Sequence, residues 1–152
     1  MPSGDSGELV HADADADADA ADVVSPLSEA QRAVLLRVVQ RARSICGFCF
    51  GVYVGPLADG RDSAIAQHAQ LPDPTSAVLV AVDPSARRIE IVTGTTVAVD
   101  LDDRACELAA LAMKSCFAAD DLVSGVRDGV TLLAEHARAP KVLHLENLDD
   151  TQ

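Results

Sequence analysis

The sequence predicts an α/β domain built on a small mixed sheet, and three observations carry that expectation. Residues 48–54 and 77–82 are apolar or small at every position, which strands tolerate where both faces are covered. Between them, residues 60–70 are long enough for a three-turn helix, so strand, helix and strand form a right-handed parallel crossover. After turn chemistry at Asp83-Pro84-Ser85-Ala86-Arg87, residues 88–93 alternate, with Ile89 and Ile91 on one side and Arg88 and Glu90 on the other. This third strand is expected to return antiparallel to the second and nearer an edge.

Taken in order, the chain opens with a segment unlike the rest. HADADADADAAD, residues 11–22, alternates Asp with Ala; both are poor strand residues and the charges repel, so residues 1–25 read as a disordered acidic Asp/Ala tail. Ser28 with Gln31 fits a capping box that starts a helix running to about Ile45. Ala30, Val34, Leu35, Val38, Ala42 and Ile45 form its apolar face, and Gly47 is a natural left-handed stop. Leu71-Pro72-Asp73-Pro74 ends the crossover helix, and Gly94 breaks the third strand. Residues 97–99 are expected to add a short fourth strand. Asp102 or Asp103 caps the next helix, with Leu108, Leu111, Ala112 and Phe117 as core positions. Asp120 caps a last helix in which Leu122, Val126, Val130, Leu133 and Ala137 recur at three-to-four spacing, and Pro140 ends it. The organisation expected is therefore a tail over 1–25, one folded domain over 26–139 and an acidic C-terminal tail over 140–152.

Composition narrows the function classes. The 152 residues suit one domain, and with no Trp, one Tyr and three Phe the core is packed from Ala, Val, Leu and Ile, leaving few platforms for stacking a base or sugar. Of the net charge of −12, ten negative charges belong to residues 1–22 and 145–152, which carry no Lys or Arg, so residues 23–144 stand at −2. Tails of this sign repel phosphate backbones and anionic lipids, so neither a nucleic acid nor a membrane surface is an expected partner. No run is long and apolar enough to span a bilayer, and the acidic N-terminus is unlike a signal peptide, which points to a cytoplasmic protein with reduced cysteines.

GVYVG, the pair AVLVAVD and RRIEIVTG, the acid-led LDDRACELAALAM, and FAADDLVSGVRDGVTLLAEHA follow one another in an order and spacing that carry a likeness. Over residues 28–137 the chain resembles the TPM domain, and within it an actinobacterial branch known only as a domain of unknown function. The resemblance implies a three-layer α/β/α sandwich with helices on both faces of the sheet. It also implies divalent metal binding, phosphatase activity, or assistance in assembling or repairing membrane complexes. The family's aspartate before the long helix falls on Asp102 or Asp103, and its phenylalanine-small-acid phrase on Phe117 with Asp120 or Asp121.

Candidate chemistry is sparse. Cys46-Gly47-Phe48-Cys49 has the spacing of redox and zinc pairs, but it follows a helix C-terminus, where the dipole disfavours a thiolate. Cys106 and Cys116 lie ten residues apart on one predicted helix, about 15 Å along its axis, so they cannot complete one tetrahedral site. His68, His136 and His144 have no acid or cysteine at ligand spacing, and His11 falls in the tail. The acids remain: Asp83 ends the second strand, where α/β sheets place ligands, and Asp102 and Asp103 stand before a helix, so these three are the candidate ligands for Ca²⁺ or Mg²⁺. A phosphatase would need that metal and an activated nucleophile. With no nucleophile, base and phosphate-cradling constellation, the leading expectation is a non-catalytic binding or assembly-assisting module with protein partners and without a cofactor. The metal-dependent phosphatase is the alternative, and a thiol or zinc role for Cys46 and Cys49 the third.

Overall fold

A computed structural model describes residues 7–11, 27–118 and 121–150, with backbone alone over 116–118 and 139–150. The element order is β1 (Glu8–His11), α1 (Glu29–Cys46), β2 (Cys49–Val54), α2 (Arg61–His68), β3 (Ala77–Asp83), β4 (Arg88–Thr93), α3 (Asp103–Ala118) and α4 (Leu122–Asp150), with 3-10 turns at Pro74–Ser76 and Val97–Val99. The strands lie in the order β1-β2-β3-β4: β2 and β3 are parallel, and β1 and β4 run antiparallel on the two edges. The expected crossover and hairpin are both present.

The uninterrupted apolar runs of β2 and β3 serve two cores at once, because successive side chains point to opposite faces of the sheet. Phe50, Val52, Val54, Val78, Val80 and Val82 join α1, α3 and α4 in the larger core. Cys49, Tyr53, Ala77, Leu79 and Ala81 face the other way, toward Ala64 of α2 and toward Leu57 and Leu71. Helices thus cover both faces of a four-strand sheet, as the α/β sandwich requires.

Local signals fix the ends of α1. Ser28 Oγ accepts from the Gln31 amide at 3.1 Å while Gln31 Oε1 accepts from the Ser28 amide at 2.9 Å, completing the capping box. Gly47 adopts φ +88° and its amide donates to Arg43 O at 2.7 Å, the left-handed stop for which glycine has no steric penalty. Gly94 has a different reason. A Cβ there would fall 2.1 Å from Pro74 O and 2.3 Å from Thr75 O, so β4 can leave the sheet past the Pro74–Ser76 turn only without a side chain.

Four sequence expectations are corrected. Glu8–His11, placed in the acidic tail, form β1, with Val10 entering the larger core and Leu9 packing on the smaller one. Glu8 also forms a two-point ion pair with Arg32 of α1, through Nε to Oε2 and, at 3.1 Å, Nη2 to Oε1. Residues 97–99 make a 3-10 turn rather than a fourth strand, because the Asp100 amide bonds back three residues to the Val97 carbonyl at 2.8 Å. Asp121 caps α4, its Oδ1 accepting from the Ser124 amide at 3.3 Å, while Asp120 lies outside the described residues. Pro140 does not stop that helix, which extends over Leu122–Asp150: a proline removes one amide donor, and the Lys, Leu and Glu residues that follow are helix formers. The Asp/Ala alternation over 12–22 lies outside the described residues.

Because β1 is short and at an edge, its ion pair should decide its local order. Glu8→Ala is expected to raise amide hydrogen exchange throughout β1 while lowering global stability by only about 1 kcal/mol. Unchanged exchange in β1 would show that strand pairing alone holds it.

Candidate functional site

Asp83 ends β3 at the carboxyl edge of the parallel pair, the place the crossover topology favours for a ligand. Its carboxylate is buried and points into the protein's own backbone. Oδ2 accepts from the Leu57 amide at 2.9 Å; Oδ1 accepts from Ser85 Oγ at 3.0 Å and from the Ala86 amide at 3.3 Å. Burial pushes the carboxyl up, but the donors of Leu57, Ser85 and Ala86 outweigh it and hold the group below the ordinary aspartate range. A carboxylate so placed is a weak base, and it ties the loop after β2 to the hairpin turn after β3.

Asp102 and Asp103 do different work. Asp102 Oδ1 accepts from the Ala105 amide at 3.0 Å, which makes it the N-cap of α3; Asp103 is exposed in the first turn, where the helix dipole favours an acid. Among the described residues no group of three His, Cys, Asp or Glu could hold a metal ion, so Asp83, Asp102 and Asp103 are not gathered into one donor set. The residues present do not fit the divalent ion that the TPM likeness implied: one carboxylate is engaged by three donors and another by a helix end.

The CGFC segment splits across the sheet. Cys46 packs against the larger core, with its Sγ 3.4 Å from Ala42 O, whereas Cys49 belongs to the smaller core on the opposite face. The two side chains thus pack in separate cores on opposite faces of the sheet. Cys106 is pushed up to about 11 by burial and by Asp103 and Asp102, so it is a poor nucleophile near neutrality. Buried His68 places Nε2 3.0 Å from Ala77 O, which requires the Nε2–H tautomer and joins the end of α2 to the start of β3. His136 is exposed on α4, and the side chains of Cys116, Phe117 and His144 lie outside the described part. A shallow cleft of about 230 Å³ lies between the first turns of α1 and α4, but its polar members, Gln31 and Asp121, are already spent on capping.

What sequence reasoning misplaced is the face of α3. Leu108 and Leu111, expected in the core, are 52% and 66% exposed, while Ala105, Ala109 and Met113 are buried instead. Two stripes on this helix have apolar periodicity, and the small-residue stripe wins because α4 packs against it. Gly129 of α4 lies against Met113, where a Cβ would fall 2.5 Å from Met113 Cγ. Leucines displaced from a core by alanines on the same helix are the signal that could have found this surface.

No helix among the described residues is long and apolar enough to cross a membrane. Residues 6–134 match a family model described as a domain of unknown function, DUF5130, a match that includes β1 and ends within α4. Uncharacterized proteins of two Mycobacterium tuberculosis strains are each 34% identical to the chain over 92 residues, covering 59% of this chain and 54% of each relative. The chain thus spans about half the length of these curated relatives.

Proposed function

The chain belongs to the DUF5130 family of unknown function, and from that premise we propose that it is a non-catalytic cytoplasmic module that docks a protein through α3. The observation that carries this reading is the exposed pair Leu108 and Leu111 beside a core already filled by Ala105, Ala109 and Met113. Two large apolar side chains on one helix face gain from burial by a partner, each contributing on the order of 1 kcal/mol or more. The acidic segments, seven acids over 1–22 and three over 145–152, fit a soluble protein that avoids nucleic acid and anionic lipid while that face stays available. The likeness to TPM proteins that assist assembly runs in the same direction.

The test is a photo-crosslinking amino acid placed at Leu111 and, as control, at Asp128 on the polar side of α4, each in the full chain in cells. A discrete adduct at position 111 and none at 128 is the expected outcome. Equal labelling at both positions would overturn the docking face. Turnover of a generic phosphate ester with Mg²⁺ or Ca²⁺, lost in Asp102→Ala, would instead establish the phosphatase.

A further inference from the structure

The exposed residues of α3 between 104 and 115 are Arg104, Glu107, Leu108, Leu111, Lys114 and Ser115. Their steps of three and four place them on one continuous stripe. Written as a heptad with Leu108 at position a and Leu111 at d, Glu107 and Lys114 both fall at g. Seven residues of helix separate these opposite charges by about 10.5 Å, too far for them to pair within one copy. The e positions on the other flank are Ala105, buried in the larger core, and Ala112, half-buried, and neither carries a charge.

An antiparallel copy with its two-fold axis between residues 109 and 110 pairs the two leucines and the two g-position charges of this stripe. Leu108 then faces Leu111 of the second copy, and the reverse, forming two apolar layers. Glu107 stands opposite position 112 of the second copy, and Lys114 of that copy lies about 3 Å further along, on the same flank. The axis generates this Glu–Lys pair twice. In a parallel pair g would meet e, where only alanines stand, and neither charge would find a partner across the seam. The charge pattern is thus self-complementary in the antiparallel direction and not in the parallel one.

We propose that the α3 face pairs with the α3 face of a second copy, antiparallel about a two-fold axis, through Leu108, Leu111 and the Glu107–Lys114 contacts. This deepens the docking reading and rests on it, by naming the partner. With Arg104 and Ser115 ending the seam after two layers, the association is weak and concentration-dependent.

Sedimentation of the full chain from about 1 to 300 µM is expected to show growth from monomer toward twice the monomer mass. Glu107→Lys and Lys114→Glu, both at exposed positions, should each weaken association by roughly tenfold or more, since each turns two attractions into repulsions. An equimolar mixture of the two variants should recover it, because opposite charges then meet at both contacts. A chain that stays monomeric throughout, or single variants that associate as tightly as the wild type, would overturn the pairing. Should the wild type stay monomeric while the crosslinker at Leu111 still captures one different protein, self-pairing fails and docking stands. If neither occurs, both fail.

Discussion

Phe50→Ala is expected to remove about 3–5 kcal/mol, a large share of the roughly 5–15 kcal/mol that holds a domain of this size together. Phe50 is the largest fully buried side chain among the described residues, the second residue of β2 and paired with Val78 of β3. It projects into the larger core among valines of β2 and β3 and leucines of α1 and α4, and the chain has few aromatics with which to refill the space. Neighbours anchored in a sheet collapse poorly into a cavity, which places the cost in the upper part of the range. Leu111→Ala removes a side chain of similar hydrophobicity, yet at 66% exposure it should leave stability within about 0.5 kcal/mol. Urea denaturation of both variants checks the pair. A loss at Leu111 comparable to that at Phe50 would mean that the α3 face already packs on something within the chain, and the docking reading would lose its basis.

The contrast also shows which parts of the fold the sequence made legible. The central strands could be read because β2 and β3 are covered on both faces and so carry no polar residue until Asp83. The start and stop of α1 could be read because its capping box and Gly47 are local, set by atoms within four residues of each other. β1 could not. Its four residues have no strand signature of their own and take extended form by pairing with β2, with Leu9 and Val10 divided between the two cores. The face of α3 was misread for a related reason: hydropathy favours Leu108 and Leu111, but the distance to α4 favours the alanines, and that distance is a tertiary quantity. Asp83 stands out in the sequence as a candidate ligand. Position in the chain could not tell a ligand from a structural tie, because the donors that occupy it come from Leu57, twenty-six residues earlier, as well as from its own turn.

Asp83→Ala is expected to cost about 2–4 kcal/mol, the penalty for leaving the buried Leu57 amide without an acceptor and releasing the turn donors of Ser85 and Ala86. Asp83→Asn should cost less, since one oxygen remains, but its amide nitrogen must face a donor at one of these positions. The dependence on pH has a definite sign. The folded carboxyl lies below its ordinary value, so its stabilisation is fully present above the unfolded value of about 3.9 and is lost as pH falls through the folded value. The gap in thermal midpoint between wild type and Asp83→Ala should therefore hold constant from neutrality to about pH 4 and narrow below it. A gap that widens on acidification would mean that the protonated form is the one stabilised in the fold. Millimolar Ca²⁺ or Mg²⁺ should leave the wild-type midpoint unmoved, because an ion at Asp83 would have to displace three protein donors before gaining a ligand. A metal-dependent rise that disappears in Asp83→Ala would reverse that conclusion, and with it the assignment of Asp83 as the tie between two loops.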